Sequence, residues 1–166
     1  MEFLLLGPIE VRDVRRRVAA GGPQAEKALA VLLLEAGRQV DLDTLTEALW
    51  DGAPPRTAVH QVHKLIGGLR RRFPGMIETD GRGYRLGLGP HTLDVDRFTE
   101  LVARPEIPGL VAALALWRGP ALVGMNGRAL RAAATALDDR RRALLARLAD
   151  AGAGIVSTVD LPGPTG

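Results

Sequence analysis

The sequence predicts a protein of the α+β class, with sheet and helix mixed in the first part of the chain and helices alone after it. Short β-prone runs alternate with helical patterns up to about residue 90, and the chain is then rich in alanine and leucine at helical spacing. Its 166 residues, 46% of them hydrophobic, suffice for one ordinary core or two small ones. We expect a mixed domain over 1–90, a helical domain over 91–152 and a disordered tail over 153–166, where proline and glycine are frequent.

The composition narrows the kinds of site that the chain can carry. It has no cysteine, which excludes disulfides and thiolate metal ligands, and its three histidines make a structural zinc site unexpected. No apolar run approaches the roughly 20 residues of a membrane helix, and the apolar opening lacks the charged start and cleavage site of a signal peptide. We therefore predict a cytoplasmic protein with no membrane association, no metal and no cofactor.

The positive charge of the chain is concentrated in a few short clusters. The formal net charge at pH 7 is only +3, although the isoelectric point is about 10.1. Both figures hold because 20 of the 22 basic residues are arginine, which does not titrate below about pH 12. A nucleic-acid footprint must therefore come from clusters, and these are Arg15 to Arg17, Arg70 to Arg72, Arg82 with Arg85, and Arg140 to Arg142.

Turn and cap residues define the first elements. The opening FLLLGPIEVRDVRRRVA predicts two strands interrupted at Gly7-Pro8, because proline removes a backbone donor and belongs at an edge or bulge. We expect Arg15 to Arg17 on an exposed edge strand, where charge discourages aggregation. GPQAEKALAVLLLEAG predicts a helix with Pro23 in its first turn and Gly37 as its C-terminal cap.

A short strand and two further helices are predicted next. QVDL is the strand, and DTLTEALW is a helix capped by Asp43 or Thr44, with Glu47 completing a capping box. The third helix lies within HQVHKLIGGLRRRF. At about 100° per residue, its apolar face contains Val59, Val62, Ile66, Leu69 and Phe73, and its opposite face contains His60, Gln61, Lys64, Gly67, Gly68 and Arg71. Taken alone, this pattern is typical of a solvated amphipathic helix.

A hairpin after the third helix favours a different interpretation. MIETDGRGYRLGL contains two β-prone runs around Asp80-Gly81-Arg82-Gly83, and Asp-Gly is a strong turn dipeptide. A helix pair followed by a hairpin is a winged helix-turn-helix, in which the last helix enters the major groove of DNA and the hairpin, or wing, touches the backbone or the minor groove. We therefore predict such a domain, with an antiparallel sheet, three helices and a C-terminal wing, over residues 1–90.

The motifs of the chain resemble those of a known family. Thr79-x-Gly81-x-Gly83-Tyr84-Arg85-Leu86, preceded by Leu69-Arg70-Arg71, resembles the end of an OmpR-type winged helix. Over about residues 2 to 150 the chain is similar to the Streptomyces antibiotic regulatory protein (SARP) family, through FLLLGPIEV from Phe3, ALW from Ala48 with Pro54-Pro55 after it, DVDRF from Asp94 and LWRGPAL from Leu116. Such proteins join an OmpR-type domain to an all-helical bacterial transcriptional activator domain, which looks shortened here.

The resemblance implies a function and its partners. It implies a transcriptional activator of a biosynthetic gene cluster, such as one for an antibiotic, that binds direct repeats in double-stranded DNA as a homodimer and engages RNA polymerase. The helices expected over about 95–103, 108–117 and 128–151 resemble the tetratricopeptide-like (TPR-like) hairpins of the activator domain. Trp117 is expected to anchor their core, with an interface role as the alternative.

Position along the third helix assigns roles in the predicted interface. His60, Gln61 and Lys64 are candidates for reading base edges, because they lie on the exposed face in the first half of the helix. The phosphate candidates are Thr57, Gly67, Gly68, Arg70, Arg71 and Arg72, and the wing candidates are Arg82 and Arg85. For Arg85 the alternative is pairing with an acid of the sheet. His60-x-x-His63 has metal-ligand spacing without a suitable third ligand nearby, so no metal site is predicted.

Gly67 and Gly68 depart from the family pattern, which commonly has a serine or other small residue and an arginine at these positions. Two glycines inside a helix cost about 2 kcal/mol relative to alanine. Two interpretations stay open. Bare backbone lets the helix lie closer to DNA, or the chain has lost a phosphate contact and binds weakly.

Two other classes of function compete with a DNA-binding regulator. The first is a protein-interaction module of the same fold with weakened or lost DNA binding, which the glycine pair and the shortened helical region favour. The second is an enzyme, but the sequence offers no catalytic constellation, and Gly81-x-Gly83 lacks the lysine and the following helix of a phosphate-binding loop. We therefore predict a transcriptional regulator without catalytic activity.

Overall fold

Strands and helices alternate in the first half of the chain, and helices follow. In a computed structural model that describes residues 1–14, 16–104 and 106–158, the strands are β1 (Glu2–Leu4), β2 (Glu10–Asp13), β3 (Arg16–Arg17), β4 (Gln39–Asp41), β5 (Ile77–Asp80), β6 (Gly83–Leu86) and β7 (Thr92–Leu93). The helices are α1 (Pro23–Leu34), α2 (Leu42–Trp50), α3 (Ala58–Arg72), α4 (Asp94–Val102), α5 (Ile107–Leu114) and α6 (Arg128–Thr158). The predicted α+β class, a winged helix followed by a helical region, is confirmed.

The N-terminal sheet has the strand order β3-β2-β1-β7. Its first strands are antiparallel, with Phe3 opposite Val11, whereas β7 pairs with β1 in parallel. The sheet is therefore mixed rather than purely antiparallel, and the sequence does not predict β7 because two residues carry no readable alternation. Arg16 and Arg17 are exposed on the edge strand β3, as expected, and Arg15 lies outside the described residues.

The second sheet supports the wing. Its order is β4-β6-β5, with every pair antiparallel, so that β5 and β6 form the predicted hairpin and β4 braces it. Gly83 makes this bracing feasible, because a Cβ atom there would lie 2.1 Å from the carbonyl oxygen of Val40. The second glycine of the Gly81-x-Gly83 motif is thus required by the close passage of β6 against β4.

The end of α1 differs from its prediction. Pro23 begins the helix as expected, but the helix ends at Leu34. Gly37, predicted as the C-terminal cap, lies in the following loop, where its N–H donates to the carbonyl of Leu86 at 2.8 Å. This bond ties the loop to β6, so the helix stops before the glycine.

The start of α2 also differs from its prediction. Its cap is Asp41 rather than Asp43 or Thr44, and the Asp41 carboxylate accepts the Thr44 N–H at 2.6 Å, which lowers the pKa of Asp41. Asp41 is the last residue of β4 and is already extended, as an N-cap residue has to be. Glu47 therefore completes no capping box and pairs with Arg128 of α6 instead.

Two apolar clusters meet along the border between the winged helix and the helical region. One lies among the two sheets and α1 to α3, and it includes Leu122 and Leu130 from the second half of the chain. The other lies among α4, α5 and α6 and includes Leu6. Trp117 is 9% exposed in this second cluster, with its ring edge-on to Phe98 at 5.5 Å, so its predicted role as a core anchor is confirmed.

A buried carboxylate joins the two regions. Asp94, only 5% exposed, accepts the N–H of Leu5 at 2.8 and 2.9 Å through its two oxygens, and the N–H of Leu6 at 2.9 Å. From the other side, the N–H of Arg118 donates to the carbonyl of Leu6 at 2.8 Å. Burial raises the pKa of Asp94, and its backbone hydrogen bonds and the charge of Arg118 oppose that rise. The boundary predicted near residue 90 therefore lies within a continuous set of contacts.

The last helix extends beyond its predicted end. α6 continues to Thr158, so residues 153–158, predicted as the beginning of a tail, are helical. Residues 159–166 lie outside the described residues. Within the described part of the chain, no helix is both long and apolar enough to span a membrane.

Candidate nucleic-acid interface

α3 buries one face and exposes the other. The side chains of Ala58, Val62, Ile66 and Leu69 are buried, and so is Phe73 just after the helix. Val59, predicted for this face, is 49% exposed. The helix begins with Ala58 in the buried position, and Val59 is turned about 100° away from it. The apolar face thus fixes α3 against α1 and α2 and leaves its polar face open.

The base-edge candidates lie together on the open face. His60, Gln61 and Lys64 are all exposed. Gln61 is partly engaged within the protein, because its Nε2 donates to Oγ1 of Thr57 at 2.9 Å. Thr57 precedes the helix without capping it through its side chain. His60 and Lys64 are therefore the better placed of the three for contacts outside the protein.

The arginines at the end of α3 point in different directions. Arg70, a phosphate candidate, faces the wing, where its Nε donates to the carbonyl of Ile77 and its Nη2 to Oγ1 of Thr79, both at 2.9 Å. Its guanidinium also lies 5.5 Å from the centre of the Tyr84 ring. Burial raises the pKa of Tyr84, and the charge of Arg70 opposes that rise. Arg70 therefore fastens the wing to α3.

Arg71 and Arg72 lie on the opposite side and line a cleft of about 460 Å³, here called the basic cleft. Its α3 wall also carries Gln61, Lys64, Leu65 and Gly68, and its other wall carries Ala20, Gly21, Gln24 and Ala25 from the loop after β3 and the first turn of α1. None of the ion pairs among the described residues involves Lys64, Arg71 or Arg72. The sequence does not predict that α1 contributes to a site. The one local pattern that points to the α1 wall is Gly21-Gly22-Pro23, a helix start without a capping side chain.

The two wing arginines also differ. Arg85 pairs with Asp80, which is the alternative that the sequence left open for it. Asp80 also accepts a hydrogen bond through its carbonyl from Nε2 of Gln39 at 2.6 Å, which holds the turn against β4. Arg82 is exposed at the turn and takes part in none of the ion pairs among the described residues. Arg82 is thus the wing cation available for an outside contact.

Packing does not explain the glycine pair of α3. A Cβ atom at Gly67 would meet only the end of Arg71, at 3.8 Å, and one at Gly68 only the ends of Arg71 and Arg72, at 3.7 to 3.8 Å. These are ordinary contacts with flexible side chains. Gly68 lines the basic cleft, whereas Gly67 does not. The fold therefore tolerates alanine at both positions.

Alanine at either helical glycine is expected to stabilise the protein. Gly67→Ala and Gly68→Ala should each raise the free energy of unfolding by about 1 kcal/mol, since alanine is the better helix former and the space is open. Urea unfolding followed by circular dichroism measures the change. Gly83→Ala is the contrasting variant, expected to destabilise because of its contact with Val40. A loss of stability in Gly67→Ala would show that this position is not open.

Comparisons with known proteins find regulators of transcription. The transcriptional regulatory protein EmbR of Mycobacterium tuberculosis is 31% identical over 140 aligned positions, covering 74% of this chain and 36% of EmbR. The transcriptional regulator RedD of Streptomyces coelicolor is 30% identical over 174 aligned positions, covering 91% of this chain and 49% of RedD. The regulatory protein AfsR of the same organism is 32% identical over 140 residues, covering 76% of this chain and 14% of AfsR.

A solved structure agrees in fold. EmbR of Mycobacterium tuberculosis, in complex with a low-affinity phosphopeptide, superposes with a TM-score of 0.79 at 30% sequence identity, over 86% of this chain and 43% of that one. No protein-family model matches the chain. The chain spans less than half the length of these relatives.

Proposed function

We propose, from the premise that the chain belongs to the SARP family of transcriptional regulators, that it binds double-stranded DNA sequence-specifically and regulates transcription. The observation that carries the proposal is the open face of α3. It presents His60, Lys64 and Arg71 to solvent from a helix whose opposite face is buried. The major groove admits an α-helix, and side chains of this kind meet base edges and phosphates there.

The contacts within the protein support a division of labour along α3. His60 and Lys64 in its first half would read base edges, with Gln61 beside them. Arg71 and Arg72 in its second half would neutralise phosphates, and Arg82 at the turn of the wing would reach the backbone or the minor groove. Arg70 and Arg85, whose donors are used inside the protein, would position the wing.

The glycine pair of α3 fits this arrangement if its role is to let the helix lie closer to DNA. Because neither Gly67 nor Gly68 is required by packing, the bare backbone is available for a close approach to DNA. The alternative interpretation, that the chain has lost a phosphate contact, is supported only by the family pattern at these two positions.

The wider role follows from the family. The protein would activate a biosynthetic gene cluster, for example for an antibiotic, by binding promoter repeats as a homodimer and engaging RNA polymerase in the cytoplasm. It would have no enzymatic activity. A protein-interaction module with weakened DNA binding is the second candidate, favoured by the internal engagement of Arg70.

The proposal is tested by selecting bound sequences from a randomised duplex library at about 50 and 200 mM salt. Over this range the affinity of phosphate-dominated binding falls steeply. We expect an enriched motif, in the form of a direct repeat, with affinity that drops as salt rises. Salt-sensitive binding without enrichment would leave a basic surface that reads no bases. No binding at either salt would favour the interaction module.

A further inference from the structure

We propose that the basic cleft holds one phosphate group between the second half of α3 and the start of α1. The phosphate has two possible sources, the DNA backbone and a free phosphate ester. For the first source the proposal rests on the proposed function, DNA binding by α3. For the second source it does not depend on DNA binding. It adds a second wall, from α1, to a surface assigned so far to α3 and the wing.

The cations of the cleft come from one helix and converge on one space. Arg71 and Arg72, the two phosphate candidates, line it beside Lys64, the base-edge candidate, and none of the three is among the ion pairs of the described residues. Such a concentration of positive charge without a described acid attracts anions to the cleft. Guanidinium groups match the geometry of phosphate oxygens, which favours phosphate as that anion.

Arg72 is held in place across the cleft. Its Nη1 donates to the carbonyl of Gly68 at 3.3 Å, so the guanidinium bends back along α3. It also lies against the loop before α1, where a Cβ atom at Gly21 would be 2.9 Å from Cζ of Arg72. Gly21 has a φ of +114°, which few other residues adopt. The loop and the arginine are therefore fitted to each other.

The α1 wall brings the first turn of a helix to the same space. Gln24 and Ala25 line the cleft in the first turn of α1, and the cap residue Gly22 provides no side chain for their N–H groups. Backbone N–H groups at a helix start favour an anion in addition to the cations opposite them. The volume of about 460 Å³ accommodates a phosphate together with part of an attached sugar.

The first arm of the test uses inorganic phosphate with the full chain labelled with ¹⁵N. The amide signals of Gln24 and Ala25 should shift saturably, and Arg72→Gln should weaken the binding by about tenfold or more. Gly21→Ala should do the same by displacing Arg72. Arg142→Gln is the matched control for Arg72→Gln, because it removes one positive charge from α6, outside the cleft, and it should stay within about twofold of the unmodified chain.

The second arm uses the selected duplex with single methylphosphonate substitutions, each of which neutralises one phosphate. If the DNA backbone occupies the cleft, one substitution should weaken binding by about tenfold in the unmodified chain and hardly at all in Arg72→Gln. Saturable phosphate binding without this coupling would assign the cleft to a free phosphate ester.

The outcomes separate this proposal from the proposed function. Sequence-specific DNA binding with neither the coupling nor the amide shifts would overturn the phosphate site and leave the regulator intact. Failure to bind DNA would remove the proposed function, while the amide shifts would still decide whether the cleft takes phosphate. Circular dichroism of Arg72→Gln, an exposed position, establishes that a loss of binding is not a loss of fold.

Discussion

Asp94→Ala is expected to lower the free energy of unfolding by about 3 to 5 kcal/mol. The substitution removes the acceptor of the Leu5 and Leu6 N–H groups, which lie buried where β1 ends, and leaves both donors unpaired. It also opens space between the N-terminal sheet and α4. Equilibrium unfolding in urea, followed by circular dichroism, measures the loss.

Asp96→Ala provides the matched control for this prediction. Asp96 lies two residues later in the same helix and is exposed, so its removal should change the free energy of unfolding by less than about 1 kcal/mol, because burial and the charge of Glu100 raise its pKa and oppose the favourable interaction with the helix dipole. Asp94→Asn retains one acceptor oxygen and should give an intermediate value. Equal effects of Asp94→Ala and Asp96→Ala would mean that the buried hydrogen bonds do not join the two regions.

Lys64→Ala is expected to weaken binding to the preferred DNA sequence by about 5- to 150-fold, the range for losing one good base contact. Binding to random duplexes should change much less. Arg72→Ala should instead weaken all sequences alike and reduce the slope of log affinity against log salt by about 1, because it removes a phosphate contact. Fluorescence anisotropy with selected and random duplexes at several salt concentrations distinguishes the two.

Arg142→Ala is the control for charge alone. It also removes one positive charge, but from α6, where Arg142 is exposed and pairs with Asp139. It should change neither sequence preference nor salt slope by a comparable amount. Identical behaviour of Lys64→Ala and Arg72→Ala would refute the separate roles given to the two halves of α3.

Local patterns in the sequence predict most of the winged helix. The apolar spacing of Val62, Ile66 and Leu69 identifies the buried face of α3, and the Asp-Gly turn identifies the wing. Both features depend on residues close in sequence, whose preferences are strong enough to be read directly. The helix ends are less accurate, because Asp41 and Gly37 take their positions from β4 and β6 rather than from the helices themselves.

Contacts between distant residues account for what the sequence does not predict. β7 is too short for a pattern of its own and exists through its pairing with β1. The direction of Arg70 depends on Tyr84 and the wing strand, and the α1 wall of the basic cleft depends on how α1 packs beside α3. Three adjacent arginines look alike in the sequence, and only the fold separates the one that holds the wing from the two that remain open.

The hydrogen bonds that Asp94 accepts can form only late during synthesis on the ribosome. Leu5 and Asp94 are 89 residues apart, so at about 5 to 20 residues per second the acceptor is made roughly 4 to 18 seconds after the donor. Arg118, which bonds Leu6 from the other side, is made later still. β1 can pair with β2 soon after both are made, but the N–H groups of Leu5 and Leu6 that follow it gain their acceptor only when α4 has been made.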